Sequence, residues 1–129
     1  MRQISDRFTA AVRLCTSSLP VKQRLTEAWL TQLDELGMEE IPMSLRGEFG
    51  VLRKAMYAHK PQPDEAAPIA SVRKMSARQA TRYTAMIVKM LGEILRLKYA
   101  TAAPAHAISL DTLHESDTGL SYESDQSLN

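Results

Sequence analysis

Apolar residues recur at helical spacing through the first hundred positions of the chain. Ile4, Phe8, Ala11 and Cys15 step by four, three and four, so they share one face, with Arg2, Asp6 and Arg13 opposite. This predicts an amphipathic helix over residues 3–17. Ser17-Ser18-Leu19-Pro20 then ends it, offering a hydroxyl cap and a proline suited to a first helical turn. A second helix is expected over 19–36, burying Leu25, Ala28, Trp29, Leu33 and Leu36, with Gly37 placed as a left-handed terminator. A third follows Pro42 and buries Leu45, Phe49, Leu52 and Met56. Gly47 and Gly50 each cost such a helix about 1 kcal/mol against Ala. They are read as a surface where another helix approaches closely, unless the helix starts late, near Gly47.

Residues 60–70, KPQPDEAAPIA, contain three prolines and are read as a linker that neither helix nor central strand can cross, followed by an extended stretch over 69–75. Ser76 and Gln79 form an S-x-x-Q capping box, with Met75 placed to pack on Ala80. This is the best-specified boundary in the chain. The last helix is expected to reach Tyr99, about 35 Å at 1.5 Å per residue. Ala80, Tyr83, Ile87, Met90, Ile94 and Leu97 step by three, four, three, four and three, a heptad seam that Met86, Leu91 and Leu95 broaden. So wide a face calls for the centre of a bundle or of a homodimer, and these six residues are the expected association surface. From Thr101 onward Ser, Thr, Asp, Glu and Gly replace the periodic pattern, which predicts a disordered acidic tail over 101–129.

The expected fold is therefore all-α: a bundle of three to four helices over 1–100, with a long C-terminal helix and a disordered acidic tail. Composition agrees. The 129 residues are 44% hydrophobic and only 5% aromatic, with seven Met, a core material that favours helices over a sandwich or barrel. A single cysteine excludes an intramolecular disulfide, and with three scattered histidines it excludes a zinc knuckle, pointing to a reducing, cytoplasmic setting. No stretch approaches the ~18 apolar residues of a spanning helix. The basic, Ser/Thr-containing opening has some character of an organelle transit peptide, but its apolar run is broken by Arg13.

The formal charge of +1 conceals an asymmetry. All five tail charges are acidic (Asp111, Glu115, Asp117, Glu123, Asp125), whereas residues 1–100 hold all sixteen Lys and Arg against ten carboxylates, so the body is +6 and the tail −5. On the last helix Arg78, Arg82, Lys89 and Arg96 form a stripe opposite Ala80, and Arg73 and Lys74 lie just upstream. Such a stripe ordinarily solvates the outer face of a core helix, yet it is also the electrostatic footprint of phosphate binding. Glu93 interrupts it, and no aromatic interleaves to stack bases. The tail either keeps the protein soluble or competes for that basic face.

Catalytic chemistry is not apparent. Ser71-Val72-Arg73-Lys74 matches S-x-x-K, but its companion motifs are absent. Gly47-Glu48-Phe49-Gly50 matches the G-x-x-G of a KH loop without basic middle residues or flanking strands. A helix-turn-helix about Gly37 would rely on Arg46, Arg53 and Lys54 for contacts. Cys15 falls on an apolar face, where an inert buried thiol is expected. His59 ends the third helix as a solvated terminal residue, and Asp34-Glu35 and Glu39-Glu40 lack the histidine companions of a metal site. The expectation is a non-enzymatic interaction or regulatory protein working through helix-helix association of its last helix with a protein partner or a second copy. The alternative is a nucleic-acid-binding regulator using Arg73, Lys74, Arg78, Arg82, Lys89 and Arg96, modulated by the tail. Neither reading calls for a cofactor, a metal, a membrane or a small-molecule substrate.

Overall fold

A computed structural model describes residues 2–102. The expected acidic tail, except for its first two residues, lies outside the described residues. Every regular element among them is helical: α1 (Arg2–Cys15), α2 (Val21–Ala28), a π-helical segment (Trp29–Leu33), two 3₁₀ turns (Met38–Glu40 and Met43–Leu45), α3 (Arg46–Met56), α4 (Ala67–Lys74) and α5 (Ala77–Ala102). The chain is all-α with a long last helix. It divides into two units, Met1–Leu95 and Arg96–Asn129.

The first unit encloses the core. Ile4, Phe8, Ala11 and Cys15 of α1 are all buried, so the basic opening of the chain is an integral core helix. They meet Leu25, Ala28, Trp29 and Leu33, then Phe49, Leu52 and Met56, in one continuous cluster. Its centre is aromatic: Phe49 stacks on Trp29 at 5.5 Å between ring centroids and tilts against Phe8 at 6.2 Å.

Several local expectations are corrected. The serines after α1 do not cap α2, whose N-cap is Pro20. Instead the Arg24 guanidinium reaches back, donating to the carbonyls of Cys15, at the end of α1, and of Leu19 in the connection, each at 2.8 Å. The second helix widens at Trp29 into a π segment, closed by the Asp34 N–H donating to the Trp29 carbonyl at 2.8 Å. Gly37 is extended, at φ −82° and ψ 154°, and starts the next turn instead of ending a helix. Its N–H donates to Glu40 Oε2, and the Glu40 N–H donates back to the Gly37 carbonyl, both at 2.9 Å.

Pro42 precedes a 3₁₀ turn, and α3 begins at Arg46 with both glycines inside it. They do not mark a helix-helix contact within the fold. A methyl group added at Gly47 would meet nothing within 4 Å, and one at Gly50 would meet only the end of the Met38 side chain, at 3.6 Å. Their place inside a helix also removes the resemblance to a KH loop.

The largest correction concerns the prolines. Residues 67–74 form helix α4, not an extended stretch, because Pro68 occupies the first turn, where its missing N–H costs no hydrogen bond. Pro68, Ala70, Ser71 and Val72 are buried, so this short helix is held by packing. The irregular connection shrinks to 57–66. Asp64 there adopts a positive φ of 66°, in a turn where the Glu65 N–H donates to the Gln62 carbonyl at 3.0 Å.

The capping box ahead of α5 forms as expected. The Gln79 N–H donates to Ser76 Oγ at 3.0 Å, and the Ser76 N–H donates to Gln79 Oε1 at 2.9 Å. Met75, half-buried, packs against the core.

Candidate binding surface on the last two helices

Helix α5 sets the geometry, because its two sides have opposite fates. At 100° per residue, Ala80, Ile87, Met90 and Ile94 point together, and all four are at most 1% exposed within the protein's own core. Tyr83 is half-buried and packed against the same cluster. Leu97, in the second unit, is half-buried. Four of the six residues expected as an association surface are thus buried, in the same cluster as residues of α1, the π segment and α3. Between Ala80 and Leu97 the one large apolar side chain that is clearly exposed is Val88.

The opposite side carries Arg78, Arg82 and Lys89, within about 40° of one another around the axis, and all three are exposed. Among the described residues neither Arg78 nor Arg82 makes a side-chain ion pair. Lys89 Nζ lies 3.5 Å from Glu48 Oε2 of α3, and 76% of its side chain remains accessible. Between these cations the surface is low. Ala85 is exposed there, and just beyond Lys89 a methyl group added at Gly92 would meet nothing within 4 Å. Arg96 is exposed but belongs to the second unit.

Upstream, Arg73 and Lys74 end α4 and separate in role. The Arg73 guanidinium grips Glu65 in the preceding turn, with Nε 3.2 Å from Oε2 and a terminal nitrogen 3.1 Å from Oε1. This fork holds the Glu65 carboxyl below its ordinary value, the hydrogen bond from Arg73 being the main cause and the Gln62 N–H the next. The Arg73 carbonyl in turn accepts from Lys22 Nζ at 2.9 Å, placing a cation where the C-terminus of α4 favours one. Arg73 is therefore a structural clamp. Lys74 is exposed and makes no such fork.

Lys74 lines a cavity of about 240 Å³ where the end of α3, helix α4 and the first turns of α5 meet, together with His59, Ser71, Gln79 and Tyr83. Each of these residues has its own local reading in the sequence, but no pattern joins them. The S-x-x-K match links only Ser71 and Lys74, and His59 is exposed just beyond α3, as expected of a solvated terminal residue. Its backbone N–H donates to Ser71 Oγ at 3.1 Å, tying the end of α3 to α4.

The other candidates are spent on structure. Arg46 donates to the Ile41 carbonyl at 2.9 Å. Arg53 donates to the Leu36 carbonyl and lies over the rings of Phe49 and Trp29, at 5.5 and 5.8 Å from their centroids. Two of the three side chains a helix-turn-helix reading would need are thereby committed inward. Cys15 is buried, and burial pushes its thiol above the ordinary value, with Arg24 opposing. Asp34 accepts two side-chain hydrogen bonds, from Trp29 and Tyr57. No group of three or more His, Cys, Asp or Glu suited to a metal ion occurs among the described residues, and no helix there is long and apolar enough to cross a membrane.

Compared with known proteins, the chain matches no family model, no curated protein and no solved structure.

Proposed function

We propose that this chain is a binding protein, not an enzyme, and that it recognises a nucleic acid through the outward side of α5. The observation that carries the reading is the set Arg78, Arg82 and Lys89, exposed on one helix side. Cations that only solvate a helix are commonly interleaved with acids at i and i+4. Here Arg78 and Arg82 have no acid at i+3 or i+4, and Thr81, Ala85 and Val88 lie beside them, while Lys89 has Glu48 of α3 beside it and half-buried Glu93 at i+4. Small intervening side chains let the helix lie close to a phosphodiester backbone, which supplies most of the affinity of such contacts.

An anionic membrane would engage the same charges. A helix lying on a bilayer, however, exposes a broad apolar side beside its basic one, and α5 has turned that side into the core. Helix-helix association through the seam loses its surface for the same reason.

Anisotropy of a labelled oligonucleotide at about 10 mM salt, where screening extends about 30 Å, tests the reading. Binding should weaken with salt with a log-log slope of about −2 to −3, the value for three phosphate contacts. Paired reversal, Arg78→Glu with Arg82→Glu, should abolish it while circular dichroism is unchanged. Absence of binding to single- or double-stranded oligonucleotides at low salt would refute it, as would retention by anionic vesicles alone.

A further inference from the structure

The cavity at the junction of α3, α4 and α5 has a chemistry distinct from the outward side of α5. Five of its lining residues carry polar side chains: His59, Ser71, Lys74, Gln79 and Tyr83. None is a carboxylate. Cavities that hold cations need oxygen ligands, preferably charged, whereas this one offers an ammonium, hydroxyls, an amide and an imidazole.

The local bonds orient these groups toward donation. Gln79 Oε1 is already engaged by the Ser76 N–H, so the amide that remains is its NH₂ end. Ser71, 1% exposed, takes the His59 N–H on its oxygen, which leaves its O–H hydrogen to give. Lys74 adds a full positive charge. Glu65, the acid on which Lys74 acts electrostatically, has both carboxylate oxygens held by Arg73 and the Gln62 N–H. At about 240 Å³ the cavity is smaller than the ~300 Å³ from which drug-sized sites begin. It suits a compact ionic group, not a whole cofactor.

We propose that this cavity binds the dianionic phosphate of a phosphomonoester, with Lys74 supplying the charge and Ser71, Gln79 and Tyr83 donating hydrogen bonds to its oxygens. A phosphomonoester reaches the site either as a free small molecule or as the 5′ end of a nucleic-acid strand. The second source rests on the function proposed above; the first stands without it.

Amide chemical shifts under titration with inorganic phosphate, against chloride at equal ionic strength, test the site. Saturable shifts confined to the amides of residues 59, 71, 74, 79 and 83 are expected. Lys74→Glu, at an exposed position, should weaken phosphate binding about tenfold or more, the loss of a charge-assisted contact, while Arg13→Glu, on a distant exposed cation, should leave it unchanged. A 5′-phosphorylated oligonucleotide that binds several-fold more tightly than its 5′-hydroxyl twin, with the preference lost in Lys74→Glu, identifies a strand end. Phosphate binding without that preference identifies a free phosphomonoester. Shifts equal in phosphate and chloride, or unaltered phosphate binding in Lys74→Glu, overturn the site. Binding of the 5′-hydroxyl strand reads the outward side of α5 alone, so the two proposals fail separately.

Discussion

Trp29 and Asp34 hydrogen-bond each other in both directions. The Asp34 backbone N–H donates to the Trp29 carbonyl at 2.8 Å, and the Trp29 indole N–H donates to Asp34 Oδ1 at 2.7 Å. The five-residue separation is that of a π turn. The wide turn gives the fully buried indole a partner for its one polar atom. Tyr57, at the end of α3, donates to the same oxygen at 2.6 Å, so one carboxylate joins the π segment to α3.

Removing that carboxylate should cost more than its half-exposed position suggests. Asp34→Ala leaves the indole N–H without an acceptor and is expected to destabilise the fold by about 1–3 kcal/mol. Asp34→Asn keeps an acceptor and should cost less. Chemical denaturation followed by emission of the single tryptophan measures both, and equal losses in the two variants would contradict the assignment.

Alkaline pH should release the same joint. The hydrogen bond to Asp34 holds the Tyr57 hydroxyl above its ordinary value of 10.0, with burial and the Asp34 charge adding to it. A tyrosine raised in the folded state contributes stability that is complete below about pH 10 and is lost as pH climbs through the raised value. Denaturation midpoints measured across pH 8–11 should fall for the native chain more than for Tyr57→Phe. Glu65 acts in the opposite window. Its lowered value means that its contribution is present above the ordinary 4.5 and disappears as pH falls below it. Because the pair is exposed, the effect should be small and salt-sensitive.

Two glycines should be replaceable with profit. Gly47 and Gly92 are helical, neither has a positive φ, and an added methyl group meets nothing within 4 Å at either. Gly47→Ala and Gly92→Ala are each expected to stabilise by about 0.5–1 kcal/mol. Thermal unfolding of the single and double variants checks this, with additivity expected.

The capping box and the buried thiol give two further measurable outcomes. Ser76→Ala removes the acceptor for the Gln79 N–H and should cost about 1 kcal/mol. Cys15, buried with its thiol pushed above the ordinary value, should react with a thiol reagent only as fast as the fold opens. Its rate should rise in Ser76→Ala, because Cys15 and the buried residues of α5 share one core cluster.

The helices themselves were legible because each core position is a local periodic fact. Ile4 through Cys15 and Leu45 through Met56 are buried as their spacing requires. The box at Ser76 and Gln79 was legible because both partners lie within one turn. Helix α4 was hidden, since Pro68 punctuates a sequence equally well as a linker residue and as a first-turn residue. Burial of Ala70, Ser71 and Val72 decides between them, and no local pattern announces that. The cavity was hidden for the same reason: His59, Lys74 and Tyr83 are far enough apart in sequence that only packing joins them.

The sequence by itself determined which residues of each helix turn inward, because an apolar stripe with a 3.6-residue period has no other favourable fate in water. It also determined that cations gather on the reverse side of α5. What periodicity leaves open is the identity of the surface that covers a stripe, whether another copy, a partner or the chain's own core. The tertiary structure decided that for Ala80, Ile87, Met90 and Ile94: they are buried in one cluster with residues of α1, the π segment and α3, while Arg78, Arg82 and Lys89 stay exposed.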